Sequence, residues 1–293
     1  MKDDYLELDT EKTFKKGLKL SSMESSEIID LFIDDQEIIL KSLKKNKKKL
    51  ISASEIFYKT YKNNSRIFFI GAGTSGRLGV IEAAELPPTF GTNKNSIIGI
   101  IAGGNKALVT AIEGAEDNKL LGIENLKKNK IKKGDLIIGI SASGRTEYVL
   151  SALKYYKKRG INTVLITTNK LSSKVSDLDL SFLIGPELIS GSTRLKSGTV
   201  TKVALNIITS MAMIKANKVL NGLMIDIKPT TNKLRARCIR NTAIILNLTL
   251  NMAEKLLIKS KWNIRVAIIM NNKNMSYKDA LKTSKTLPIG EII

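Results

Sequence analysis

Apolar residues recur in two rhythms along this chain. Up to about residue 62 an irregular start gives way to helical intervals: Ile28, Leu31 and Phe32 follow a capping signal at Ser21-Ser22-Met23-Glu24. A second helical stripe runs through Ile39, Leu43, Leu50, Phe57 and Tyr61. From Arg66 the rhythm changes to short apolar runs at 67–70, 97–102, 136–140, 164–167 and 182–184, most of them rich in β-branched residues. Each except the last is soon followed by small or polar residues and a plausible helix, which is the pattern of a parallel sheet with helices on both faces. After about residue 217 helical patterns return at 232–250, 253–260 and 277–287, while 264–270 reads equally as a strand or a buried helical turn. The expected architecture is α/β: a helical segment over 1–55, a three-layer α/β/α sheet domain over 56–217, and a small helical region over 218–293. In such sheets ligands bind beyond the carboxyl ends of the strands, so the loops that follow the strands are where chemistry is expected.

Composition narrows that chemistry. Among 293 residues there is no histidine and one cysteine, Cys238, so imidazole catalysis, disulfides and a structural zinc site are out. Any acid or base must be a carboxylate, a lysine or a tyrosine. An acidic N-terminus and the lack of an apolar run near the roughly 18 residues of a membrane helix lead us to expect a soluble cytoplasmic protein without a membrane partner. The 48 Lys and Arg against 27 Asp and Glu give a net charge of +21, which raises nucleic-acid binding. Against it, the densest run, Lys41 to Lys49, shares a segment with Ile39, Leu43 and Leu50 on one helical face, leaving the lysines as a solvated face. Abundant Lys, Asn and Ile also fit an AT-rich genome, and few aromatics are present for base stacking. No nucleic-acid partner is expected.

The first strand ends in Gly71-Ala72-Gly73-Thr74-Ser75-Gly76-Arg77, where glycines would let backbone N–H groups approach an anion at a helix start. A tight strand-to-helix closure explains the same glycines equally well. Gly71, Gly73 and Gly76 match the dinucleotide fingerprint, but the second strand ends in Ala102-Gly103-Gly104, without the acidic residue that would bind a ribose, which disfavours a nicotinamide or flavin cofactor. The third strand ends in Ser141-Ala142-Ser143-Gly144-Arg145-Thr146. A Ser/Thr cap would account for Thr146 but not for all three hydroxyls, and two such loops in one sheet favour a sugar phosphate as ligand.

Two groups of carboxylates follow. Glu82 and Glu85 lie on the helix after the first loop, and Pro87-Pro88 is expected to end that helix, placing Glu85 in its last turn where negative charge is disfavoured. Partial burial there would raise its pKa and suit a general acid. Glu113-Gly114-Ala115-Glu116-Asp117 precedes another helical stretch, where an ionised carboxylate would suit a base; a plain surface-charge reading stands beside both. A last cluster, Gly191 to Thr199, includes Ser192, Arg194 and Lys196, which could attract an acidic group or simply solvate a loop.

At these residues the chain resembles the N-acetylmuramic acid 6-phosphate etherase family, bacterial enzymes built on the sugar isomerase (SIS) domain. The matching runs are GAGTSGRLGV at 71–80, AAELPPTFG at 83–91, IAGG at 101–104, EGAED at 113–117, SASGRT at 141–146 and GSTRLKSGT at 191–199. The resemblance implies cleavage of the ether between sugar C3 and D-lactate during cell-wall recycling, by elimination and then hydration, with no metal or nucleotide cofactor. By motif position it implies Glu85 and Glu116 as catalytic carboxylates, Glu85 the proton donor and Glu116 the base, one of which could serve both proton steps. Ser141, Ser143 and Thr146, with Thr74 and Ser75 nearby, are the expected phosphate ligands. The resemblance also implies a homodimer. Departures occur at Asn221-Gly222, at Thr230-Thr231-Asn232 and at Phe14, where the family has Gly-Asn, Thr-Asn and Asn. Two other readings stay open: a non-catalytic SIS sugar-phosphate sensor, and an aldose-ketose isomerase that would move the C2 proton but retain lactate.

Overall fold

A computed structural model describes residues 7–15 and 18–286. Strands β1 (Ile67–Gly71), β2 (Ile97–Ile101), β3 (Leu136–Ile140), β4 (Asn162–Thr167) and β5 (Leu178–Ser181) form one parallel sheet in the order β2-β1-β3-β4-β5. The first four lie where the apolar runs predict. The fifth corrects the expectation at 182–184: Phe182 and Ile184 are buried as extended loop, while the ladder partner of β4 is Leu178–Ser181. That edge strand alternates apolar Leu178 and Leu180 with polar Asp179 and Ser181, so it lacks the continuous apolar run of the strands before it. The bottom edge of the sheet is tied by buried Asp135, whose carboxylate accepts from the Arg66 N–H at 2.9 Å, the Lys132 N–H at 3.0 Å and the Arg66 guanidinium at 2.9 Å.

Helices α1 (Ser25–Asp34), α2 (Glu37–Lys45) and α3 (Lys47–Lys62) precede the sheet. The capping box of α1 lies three residues beyond the expected one: Glu24 is the N-cap, the Glu27 carboxylate accepts from its N–H at 3.0 Å, and Ser21 and Ser22 belong to a separate 3-10 turn, Leu20–Ser22. Buried Ile39, Leu43 and Leu50 leave Lys41, Lys44, Lys45, Lys47, Lys48 and Lys49 in solvent. Alternate strand residues face opposite sides. On the side of Phe69, α3 brings Phe57 to a ring separation of 6.3 Å, and α4 (Gly73–Phe90) crosses so closely that a Cβ on Gly99 would lie 2.5 Å from Val80 Cα. Fully burying Phe57 contributes roughly 1.5–3 kcal/mol. On the opposite side, α5 (Leu121–Lys128) and α6 (Glu147–Lys157) cover Phe68, Ile70, Ile137 and Leu165 with Leu126, Tyr148, Val149 and Leu153.

Two compact units result, the first running up to Ala83 and over Asn95–Thr209, the second comprising Ala84–Lys94 and the chain from Ser210 onward. Helix α7 (Lys196–Lys215) has residues in both. Among the described residues it is the one helix with the length and mean hydropathy to cross a bilayer, where the sequence reading expects none; its Val200, Ala204, Leu205 and Ile208 are fully buried in the protein.

In the second unit, β6 (Val219–Leu220) and β7 (Leu223–Met224) form a hairpin whose turn is the departing pair Asn221-Gly222, with φ of 49° and 78°. Positive φ at both central residues is what a tight hairpin requires, and Asn-Gly supplies it. Helices α8 (Asn232–Leu246), α9 (Leu250–Lys259), α10 (Ile264–Lys273) and α11 (Tyr277–Thr283) follow. The ambiguous 264–270 run is thus helical, its start fixed by the Asn263 side chain accepting from the Val266 N–H at 3.1 Å. The apolar stretch read as one helix over 232–250 ends at Leu246, because Asn247 turns left-handed at φ 51°. The helix expected over 277–287 ends at Thr283, with 284–286 in a turn, and residue 287 lies outside the described residues. Cys238 is buried in this unit's core and its thiol is pushed up to about 11, chiefly by desolvation.

Candidate active site

The loops that leave β1, β3 and β4 gather at the carboxyl edge of the sheet. After β1, the glycines divide their duties. A Cβ on Gly71 would lie 2.7 Å from the Gly76 N, and one on Gly76 would lie 2.6 Å from Ile101 Cγ1, so these two close the strand onto α4. Gly73 alone, at φ 51° with open space beside it, faces a cleft. Thr74 and Ser75 stand in the first turn of α4, where helix geometry leaves amides without intrahelical acceptors.

After β3, Ser141 Oγ donates to Thr146 Oγ1 at 2.8 Å, and Ser143 Oγ accepts from the Arg145 N–H at 3.1 Å. Thr146 occupies the N-cap position of α6, yet its side chain makes no cap bond. Its hydroxyl is instead committed to Ser141, so capping does not explain the three hydroxyls of this loop. The structure thus brings Ser141, Ser143 and Thr146 together around one loop.

The carboxylate loop meets the same corner. The Tyr148 N–H, in the first turn of α6, donates to the Glu116 carbonyl at 2.9 Å. A cleft of about 180 Å³ opens here, lined among others by Gly73, Arg77, Ala102, Glu113 and Glu116. Arg77 holds its far wall through bonds to the Leu108 carbonyl at 3.1 Å and the Thr110 carbonyl at 3.4 Å. Glu116 keeps a side open to solvent, but its pKa is raised, first by desolvation and then by the Asp117 and Glu113 carboxylates. This corrects the expectation that the following helix would stabilise its ionised form. Helix α5 begins only at Leu121, beyond reach of a first-turn effect, and the nearer charges are negative.

Glu82 and Glu85 fare differently. Glu82 is 4% exposed and saturated by Lys202 Nζ at 2.9 Å, Asn206 Nδ2 at 3.0 Å and Thr209 Oγ1 at 2.6 Å. Glu85 is exposed and its carboxylate makes no hydrogen bond to a described residue. Nor does Pro87-Pro88 end its helix: α4 continues to Phe90 and stops at Gly91, φ 65°. Proline's fixed φ is helix-compatible, so two prolines near the end cost local hydrogen bonds without forcing a stop. Glu85 therefore lies more than a full turn from the C-terminus, and the dipole argument for it falls away.

The 191–199 cluster also needs correction. The amides of Lys196 and Ser197 both donate to the buried Glu187 carboxylate at 2.9 Å, so an internal anion already occupies this helix start. Lys196 is 2% exposed; its Nζ lies 2.6 Å from Asp35 and 2.7 Å from the Pro186 carbonyl, and 5.3 Å from the centre of the Phe14 ring. It is consumed by structure and does not face a ligand. Phe14, one of the departures, thus serves as an apolar cover for that ammonium. Ser192 sits in a tight turn whose Gly191 N–H donates to the Thr10 carbonyl at 2.9 Å, and Arg194 is exposed. The N-terminus of α7 comes beside α4, with Gly198 within 3.6 Å of Thr74 Cγ2 for an added Cβ.

Sequence reasoning missed Glu187 and the buried trio Thr167, Thr168 and Asn169. The trio begins with the last residue of β4 and runs into the loop after it, so the rule that selected the other polar loops would have found it. Among the described residues no group of three or more Asp, Glu or Cys side chains gathers as a metal site.

A parallel sheet in this strand order, with hydroxyl loops and a glutamate-bearing loop at its carboxyl edge, is the architecture of a SIS-domain protein, and residues 123–211 match the SIS domain family. Residues 49–157 match the glucokinase regulatory protein N-terminal SIS domain. A solved Bacteroides fragilis protein, described as a phosphosugar isomerase involved in capsule formation, shares the fold at a TM-score of 0.51 and 18% identity over 67% of this chain and 93% of that one. Within this class the chain belongs to the N-acetylmuramic acid 6-phosphate etherase family. It is 40% identical to the etherase of Francisella tularensis subsp. holarctica over 95% of both chains, and 42% identical to that of Staphylococcus epidermidis over 93% of both. With an etherase of Bacillus licheniformis it shares 39% identity over 97% of this chain and 93% of the relative.

Proposed function

We propose that this protein cleaves the D-lactyl ether of N-acetylmuramic acid 6-phosphate to give N-acetylglucosamine 6-phosphate and D-lactate, as part of peptidoglycan recycling in the cytoplasm. The observation that carries this reading is the Tyr148-to-Glu116 main-chain bond, which seats a carboxylate of raised proton affinity at the helix start that follows Ser141, Ser143 and Thr146. Identity near 40% to named etherases supports it along nearly the whole chain.

The chemistry follows from the difficulty of the bond. An ether oxygen is a poor leaving group, but the open-chain sugar carries an aldehyde at C1 that acidifies the C2 proton. The Glu116 carboxylate removes that proton to give an enolate, whose electron pair then forms the C2–C3 double bond as the C3–O bond breaks and Glu85 protonates the departing lactate oxygen. Water then adds at C3 of the unsaturated aldehyde and a proton returns to C2, which balances the overall hydrolysis. Ser141, Ser143 and Thr146 hold the phosphate, with Thr74 and Ser75 beside them at the α4 start; Ser192 and Arg194 remain candidates at the rim, and Lys196 is left out of the set.

The test is direct: purified protein incubated with N-acetylmuramic acid 6-phosphate should release D-lactate and N-acetylglucosamine 6-phosphate. Product that retains lactate would indicate an isomerase, and tight binding with no product would indicate a sensor; either overturns the reading.

The pH profile gives a second check. A base must be ionised to act, and a raised pKa moves its ionisation upward, so the acid limb of kcat/KM should fall at higher pH than an ordinary glutamate gives. Glu113→Gln removes a nearby negative charge, lowers the Glu116 pKa and should shift that limb to lower pH. A limb that moves upward, or stays in place, would show that Glu113 does not act on the base.

The functional unit is a homodimer in this reading. In support, α1 has no buried residue and exposes Ile29 at 57% and Ile33 at 61%. Light scattering should return about twice the 32.3 kDa chain mass, and an Ile29→Lys/Ile33→Lys variant should return a single chain mass. A monomeric wild type would remove the proposal.

A further inference from the structure

Behind the Ser141–Thr146 loop lies a buried polar cluster that the etherase chemistry does not itself use. The Ala142 carbonyl is surrounded by four donors: the Thr168 N–H at 3.0 Å, Thr167 Oγ1 at 3.1 Å, Thr168 Oγ1 at 3.0 Å and Asn169 Nδ2 at 3.0 Å. Thr168 Oγ1 also lies 3.1 Å from Ser197 Oγ, joining the cluster to α7. Asn169, 1% exposed, is fixed in turn by the N-terminal segment. Its Nδ2 donates to Thr10 Oγ1 at 3.0 Å, and its Oδ1 accepts from the Thr10 N–H at 3.4 Å. The amide can sit only this way round, since the Ala142 oxygen cannot donate.

A trans peptide is planar, so its C=O and the following N–H point in opposite directions. Anchoring the Ala142 oxygen inward therefore turns the Ser143 N–H outward, away from the cluster. Among the described residues that N–H donates to no protein group. Were this peptide to flip, the loop would present a carbonyl to the phosphate in place of a donor.

We infer that Asn169, braced by Thr10, is a positioning residue for phosphate binding: it holds the Ala142–Ser143 peptide so that the Ser143 N–H is already aimed at the anion. The inference rests on the etherase reading for the identity of the phosphorylated ligand. Preorganised amides bind an anion without the cost of turning them at the moment of binding.

The experiment compares Asn169→Ala, Asn169→Asp, Thr10→Val and Thr10→Ser with wild type. KM for N-acetylmuramic acid 6-phosphate and the dissociation constant of inorganic phosphate, titrated calorimetrically, should both rise by about tenfold in the first three, with kcat within about twofold. Thr10→Ser keeps the hydroxyl and should stay near wild type. Thr163→Val is the structural control: it deletes another buried hydroxyl on β4, one paired with Asp177 at 2.8 Å, and should lower stability without moving phosphate affinity. Unchanged phosphate affinity in Asn169→Ala and Asn169→Asp would overturn the inference, as would an equal loss in Thr163→Val. If Asn169→Ala does not fold, Asn169→Asp and Thr10→Val carry the same test. Phosphate titration needs no turnover, so it separates failure of this inference from failure of the etherase reading.

Discussion

Replacing Glu116 or Glu85 with glutamine should reduce D-lactate release by roughly 10²–10⁴-fold, the range that a positioned acid or base contributes. Both side chains are exposed and neither carries a structural hydrogen bond through its carboxylate among the described residues, so thermal stability should hardly change. The two variants should differ in one respect. With Glu116 as base, Glu116→Gln loses exchange of the C2 proton with deuterated solvent along with lactate release. Glu85→Gln, lacking only the donor to the leaving oxygen, should retain exchange while releasing little lactate. Near-normal turnover by either variant would refute that residue's role, and exchange retained in Glu116→Gln but lost in Glu85→Gln would reverse the assignment.

The second large effect concerns stability. Lys196 and Asp35 form an ion pair at 2.6 Å with 2% and 8% of their side chains exposed. Lys196→Met would leave a carboxylate buried without its partner, and breaking such a pair costs roughly 3–5 kcal/mol. The charge would also leave the Phe14 ring and the Pro186 carbonyl. Urea unfolding should show a lower midpoint with an unchanged slope. Lys196→Met combined with Asp35→Asn should recover part of the loss, because the stranded charge is then gone. A coupling energy within the roughly 0–1 kcal/mol of exposed pairs would mean that the pair contributes no more than a surface bridge.

Two of the family departures have a local structural account. Phe14 is accommodated by a cation that the ring can cover, and Asn221-Gly222 builds its own hairpin turn.

Much of the fold was legible in the chain because it is written locally. The runs at 67–70, 97–102, 136–140 and 164–167 became strands because continuous apolar residues suit a sheet covered on both faces, and the lysines of 41–49 became solvent-facing because Ile39, Leu43 and Leu50 fixed the helix rotation. The motif loops, and the family they indicate, were readable for the same reason. What the sequence could not decide was which partner each polar group would find. Phe182 and Ile184 are as apolar as any strand, yet the registered pairing with β4 ends at Ser181 and only the Phe182 N–H still reaches Thr167, at 2.8 Å, since burial alone does not set the register of a strand. Lys196 looks like a ligand-seeking cation until Asp35, 161 residues away, is brought against it, and Asn169 becomes informative only once Thr10, 159 residues away, is packed behind it. Periodicity and turn chemistry act over a few residues and set the elements; a charge or an amide answers to whatever the folded chain places within about 3 Å of it, which spacing along the sequence does not encode.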